Sequence, residues 1–147
     1  MGGKIRGAAG WMARIAEEVL FSLKQGKPTL IFGGFGGCAR VLADFIANQN
    51  AAWPEALTLV DACKSPKYSE LIEDYTRPRL ADRYDELEQL VTQLRTDLDK
   101  GQDIFQIPTD IFREALEVTS ARQVMQLVEK AVIILNKGTT SQQELGS

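Results

Sequence analysis

The chain has 147 residues, 44% apolar and 25% charged, which is the size and balance of one globular domain able to bury a core without metal or disulfide staples. Seventeen basic residues against twenty acidic ones leave a net charge of −3, which supplies no electrostatic footprint for nucleic acid or for an anionic membrane surface. There is no histidine, so histidine metal ligands, Ser-His-Asp and Cys-His nucleophile arrangements and histidine acid–base catalysis are all excluded.

Residues Trp11 to Gln25 carry apolar side chains at Met12, Ile15, Ala16, Val19, Leu20 and Leu23, the spacing of a helix with a broad buried face. Gly26 supplies a C-terminal cap and Pro28 blocks continuation. Thr29-Leu30-Ile31-Phe32 is a short, unbroken apolar run and predicts a strand buried on both faces. Cys38 then opens a second helix with Val41, Leu42, Phe45 and Ile46 on its apolar side, ended by Asn48 to Asn50. The order of helix, strand, glycine loop and helix is one turn of a doubly wound α/β architecture.

Leu57 to Asp61 reads either as a strand or, given Pro54-Glu55-Ala56-Leu57, as the first turn of a helix. Ser65-Pro66 starts a short helix through Tyr75, which Pro78 terminates. A longer helix is predicted from about Leu80 to Lys100, with Leu80, Tyr84, Leu87, Val91, Leu94 and Leu98 at heptad spacing. Under three heptads argue for packing against a neighbouring helix, with a dimer contact as the other reading. Glu70, Glu73, Asp74 and the charges from Asp82 to Glu88 fit exposed helix faces. Leu116 to Thr119 predicts a short strand, and Ser120-Ala121-Arg122-Gln123 is a capping box. The last helix is apolar at Val124, Leu127, Val128, Ala131, Val132 and Leu135, with Lys137-Gly138 closing it and Thr139 to Ser147 as a frayed polar tail.

The predicted fold is therefore α/β, a Rossmann-like doubly wound parallel sheet that is helix-rich. Its strands are too few, because only 29–32 and 116–119 qualify and Lys4 to Arg6 is a doubtful third. That shortage predicts an incomplete sheet, with the rest supplied by another chain or, as the favoured reading, with the chain as the C-terminal portion of a larger domain. The organisation expected is one domain over 1–138, with a helical insertion at about 65–100, and a tail over 139–147. Two cysteines, Cys38 and Cys63, form no framework or CxxC pair, and no run reaches the ~18 apolar residues that span a bilayer, so a cytoplasmic protein is expected.

Four of the twelve glycines fall in Gly33-Gly34-Phe35-Gly36-Gly37. A strand feeding such a loop and then a helix gathers free backbone N–H groups and the positive end of a helix dipole at one point, where anions bind. Arg40 adds a cationic fork for a phosphate or carboxylate, or else pairs with Asp44 one turn on. The other reading of the glycines is a tight turn that lets helix and strand pack closely. Gly34-x-Gly36-x-x-Ala39 also satisfies the dinucleotide pattern G-x-G-x-x-G/A, which needs an acidic residue such as Asp61 at the end of the next strand. Cys38 at the helix start would have a lowered thiol pKa if exposed there, and otherwise reads as a small packing residue. Glu17 and Glu18 are neighbours, diverge by about 100° on a helix, and so cannot form a facing catalytic pair.

The stretch Lys27 to Arg40, preceded by Gly10 and by Ile15-Ala16-Glu17-Glu18-Val19-Leu20, resembles the SLOG superfamily, in particular the SLOG domains of bacterial conflict and anti-phage systems. The resemblance is most specific over Gly2 to Ile46 and looser at Leu116 to Leu135. It implies a Rossmann-like fold and a role in sensing or processing nucleotide-derived or NAD-related ligands, often alongside an effector domain. Relatives that cleave nucleotide N-glycosidic bonds carry P-G-G-x-G-T-x-x-E with a catalytic glutamate. Here the matching positions are Phe32 to Arg40, with Arg40 in the glutamate's place, which favours a binder over an enzyme. The expected ligand-binding residues are Gly33, Gly34, Phe35, Gly36, Gly37 and Arg40. An N-glycoside hydrolase using Glu17 or Glu18 is the enzymatic alternative, and an oligomerisation module the structural one. Expected partners are a nucleotide-derived small molecule, an effector domain or the rest of the same protein, and a second copy of the chain.

Overall fold

The computed structural model describes residues 12–72 and 77–144. Among these residues seven helices follow in chain order: α1 (Arg14–Lys24), α2 (Gly37–Ala47), the one-turn α3 (Leu59–Ala62), α4 (Pro66–Ile72), α5 (Arg77–Asp99), α6 (Thr109–Glu117) and α7 (Ala121–Glu144). Single 3-10 turns stand at Gly33–Phe35 and Glu55–Leu57.

The predicted parallel sheet is not there: among the described residues there is no strand, only an isolated antiparallel bridge between Ile104 and Ile107. Residues 29–32 are outside any ladder, and 116–119 divide between the end of α6 and the linker to α7. Lys4 to Arg6 lies outside the described residues. The burial expected of 29–32 is there only in part: Ile31 is buried, while Thr29, Leu30 and Phe32 are half-buried. Ile31 is buried in a core with α1, α2 and α5, while Phe32 packs against a second core built from Ile107, Ile111, Ala115, Val118 and Leu127. Leu30 touches both cores. An apolar run of this length specifies burial but not a hydrogen-bonded neighbour, and here helices supply the covering surfaces.

Helix ends follow sequence chemistry closely. Gly26, at φ +62°, closes α1: its N–H donates to the Leu23 carbonyl and that of Lys27 to Ser22 at 2.9 Å, the paired bonds of a glycine C-cap. Gly101, at φ +70°, closes α5 in the same way, with Gln102 N–H donating to the Asp97 carbonyl at 3.0 Å. Ser120 Oγ accepts from Gln123 N–H at 3.3 Å, so Ser120 caps α7 as predicted, but the Gln123 side chain accepts from the Ser120 hydroxyl at 2.9 Å instead of bonding its N–H as a full capping box requires. That helix does not stop at Lys137-Gly138 but runs to Glu144.

The heptad seam of α5 is spent inside the chain. Tyr84, Leu87, Val91, Leu94 and Leu98 are all buried, in the same core as α1 and α2. Leu80's side chain lies outside the described residues. Helix α6 went unpredicted, although Ile111, Phe112, Ala115 and Leu116 recur at helical spacing and are all buried. No helix among the described residues is long and apolar enough to cross a membrane.

Candidate functional site

The glycine segment sits between α6 and α2, and its four glycines have two different reasons. At Gly33 a Cβ would run into the Leu116 carbonyl and the Ala43 side chain. At Gly34 it would meet the Val118 carbonyl and the Thr119 backbone. These two glycines let the last turn of α6 and the linker that follows it lie directly on the 3-10 turn. Gly36 and Gly37 are instead conformational, at φ +78° and +60°, and Gly36, with ψ −165°, occupies a region open to little but glycine. A Cβ on Gly36 would meet nothing within 4 Å, so this is the open side of the loop.

Gly36 is the N-cap of α2, and no side chain caps that end. The first turn, Gly37 to Ala39, therefore presents backbone N–H groups and the positive end of the helix dipole. Phe35 stands beside it, 38% exposed. Both Phe35 and Ala39 line a groove of about 510 Å³ bordered by Ile15, Glu18 and Val19 of α1 and by Ala121, Val124 and Met125 of α7. Residues 29–32 form part of its wall, and the lining is largely apolar. A space of this size and character suits a small organic ligand.

The remaining expected residues are arranged less simply. Arg40 points along its own helix, with Nε 2.8 Å from Asp44 Oδ1, and both side chains are about half exposed. Glu18 lines the groove and pairs with Arg14 at 3.4 Å, whereas Glu17 turns toward α5, 3.8 Å from Arg83. Cys38 is fully buried, and burial pushes its thiol up to about 11 despite a hydrogen bond with the Ala16 backbone. It is a packing residue in the first turn of α2, not a nucleophile.

Asp61 does not end a strand. It lies in α3, buried, with its N–H donated to Thr58 Oγ1 at 3.2 Å and its carboxylate 3.1 Å from Lys64 Nζ. The acidic partner that the dinucleotide pattern requires is thus bound into a helical turn, and the regular Rossmann reading loses its second element. Nearby, Tyr84 and Tyr68 hydroxyls stand 3.5 Å apart, and burial raises both phenols above their ordinary range.

Several groove residues were not anticipated. As a covered strand, Leu30, Ile31 and Phe32 have no part in a wall, and only their place between α1 and α7 gives them one. Met125 lies off the apolar stripe read for α7, and only the tertiary position of that helix makes it a lining residue.

The sequence model of the family SLOG cluster2 matches residues 1–104, more than two thirds of the chain. The chain belongs to the SLOG superfamily. The match takes in the glycine loop and α1 to α5, so the 65–100 helices lie within the matched SLOG region. It ends before α6 and α7, leaving the looser resemblance at Leu116 to Leu135 beyond it. Membership is consistent with binding or processing a nucleotide-related ligand. Comparison with curated proteins and with solved structures gave no match.

Proposed function

We propose that this SLOG chain binds a nucleotide-derived ligand, with the phosphate at Gly36, Gly37 and the first turn of α2 and the base or ribose in the groove beside Phe35. The observation that carries the reading is the junction of an uncapped helix N-terminus with an apolar groove and an exposed aromatic ring. Backbone N–H groups at a helix start suit a phosphate, and an exposed aromatic ring suits a base by stacking. Arg40 contributes by exchanging Asp44 for the anion, a step in which one charge-assisted contact replaces another. Gly33 and Gly34 act indirectly, by holding the turn against the last turn of α6 and the linker that follows it. Within a bacterial defence or stress-signalling protein, occupancy would shift an effector domain or assembly.

Titration calorimetry with AMP and NAD, against inorganic phosphate as control, tests the assignment. Phe35→Ala should weaken nucleotide binding by roughly tenfold or more, since a stacked base is worth about 1–3 kcal/mol. Wild-type chain with no affinity for either nucleotide, or a Phe35→Ala variant that binds as well as wild type, would overturn it.

Glu18 supports a second reading, because it is the carboxylate that lines the groove proposed for the base or ribose. Release of free base from a nucleotide, lost in Glu18→Gln and retained in Glu17→Gln, would establish hydrolysis.

A further inference from the structure

Helix α7 buries one face through Leu127 and Ala131 and leaves a second apolar face open. On it Met125, Val128 and Val132 are 68%, 38% and 48% exposed, and with Ala121 they follow one another at intervals of four, three and four residues. That interval is the seam of a helix that packs along another helix. Met125, Val128 and Val132 line a shallow groove of about 490 Å³, together with Arg122, Gln126, Glu129 and Ile133. Arg122 and Glu129 stand seven residues apart along one edge of the seam, and neither has an ion-pair partner among the described residues.

An opposite-charge pair two turns apart on one edge of an apolar seam is self-complementary. In a two-fold pair, residue i of one copy meets j of the other and j meets i. In antiparallel helices each edge faces the same edge of its partner. An axis crossing α7 near Gln126 therefore brings Arg122 close to the partner's Glu129 at two symmetric places, and Met125 and Val128 of one copy close to Val128 and Met125 of the other.

We infer that a second copy of this chain docks antiparallel on this face of α7, with the seam from Ala121 to Val132 as its core and the Arg122–Glu129 pairs fixing its register. Three helical turns make a small contact, so the dimer is a weak, exchanging one. Met125 also lines the candidate ligand groove, which brings the second copy to the border of that groove. The inference stands on α7 alone and does not depend on what the groove binds.

Sedimentation velocity of the whole chain over a concentration series tests it. Wild type should show a reversible monomer–dimer equilibrium. Arg122→Glu alone and Glu129→Arg alone should each weaken it by about tenfold, because each creates two like-charge contacts. The doubly exchanged chain, Arg122→Glu with Glu129→Arg, should recover wild-type affinity, and Val128→Asp should be monomeric with an unchanged circular dichroism spectrum. A wild type that stays monomeric at every concentration leaves the face to another occupant and overturns the inference. A dimer indifferent to the single reversals, or not restored by the double exchange, overturns it equally.

Discussion

At the scale of single residues, the glycine loop shows how one composition feature serves two physical ends. Gly34 has no room for a side chain, because its neighbour is the Val118 carbonyl, a backbone atom that cannot swing aside. Gly34→Ala should therefore destabilise the fold by about 1–3 kcal/mol in urea denaturation, the range for forcing extra volume into a packed contact. An unchanged midpoint would contradict the close approach. Such a variant is a poor probe of binding, since it disturbs the scaffold first, and Phe35 and Arg40 are better ones. Cys38 allows a prediction about pH. Its thiol rises from 9.0 to about 11 on folding because burial disfavours the thiolate, so its contribution is complete below pH 9 and is lost as pH climbs toward 11. The full loss is ~2–3 kcal/mol, and Cys38→Ala should remove that part of the alkaline fall in stability. Iodoacetamide at neutral pH should label the partly exposed Cys63 in the folded chain and Cys38 only after unfolding. Equal labelling rates would contradict the burial.

At the scale of elements, periodicity and capping chemistry made α1, α2, α5 and the start of α7 legible. Each writes its buried face at helical spacing, and α1 and α7 also mark an end in the sequence, with Gly26 and with Ser120-x-x-Gln123. The strands failed for a definable reason. Ile31 and Phe32 go to opposite cores as successive side chains of a strand do, but that alternation reports burial, and a ladder needs a partner that lies elsewhere in sequence. Leu116 to Thr119 reads as a strand because the end of α6 and an extended linker adjoin there, while Ile111 and Phe112, which complete the helical pattern, lie upstream of it. The site was legible at the loop and not at the groove, whose far wall comes from α7, more than eighty residues away in sequence. The α5 seam was open between a partner helix in the same chain and a second copy, and burial decides it. Leu87 is fully buried against the core of its own chain, so Leu87→Asp should unfold the domain, costing several kcal/mol through an unpaired buried charge. A folded Leu87→Asp chain with altered mass in solution would show instead that the seam joins copies.

For the molecule as a whole, the described architecture is helical, yet it builds the local arrangement that an α/β phosphate site needs: an apolar segment, a glycine turn and an uncapped helix start. Two cores meet along residues 29–32, and the groove opens where α1 and α7 border that segment. Ligand in the groove would touch elements of both cores, which links occupancy to how α7 is held. The central claim is that the start of α2 receives a phosphate, and amide chemical shifts of ¹⁵N-labelled chain during titration with AMP test it most directly. The account predicts that the amides of Gly36, Gly37, Cys38 and Ala39 shift together and saturably, with Phe35 ring resonances moving at the same midpoint. Saturable shifts confined to residues away from α2 and the groove, or no shifts at all, would contradict it.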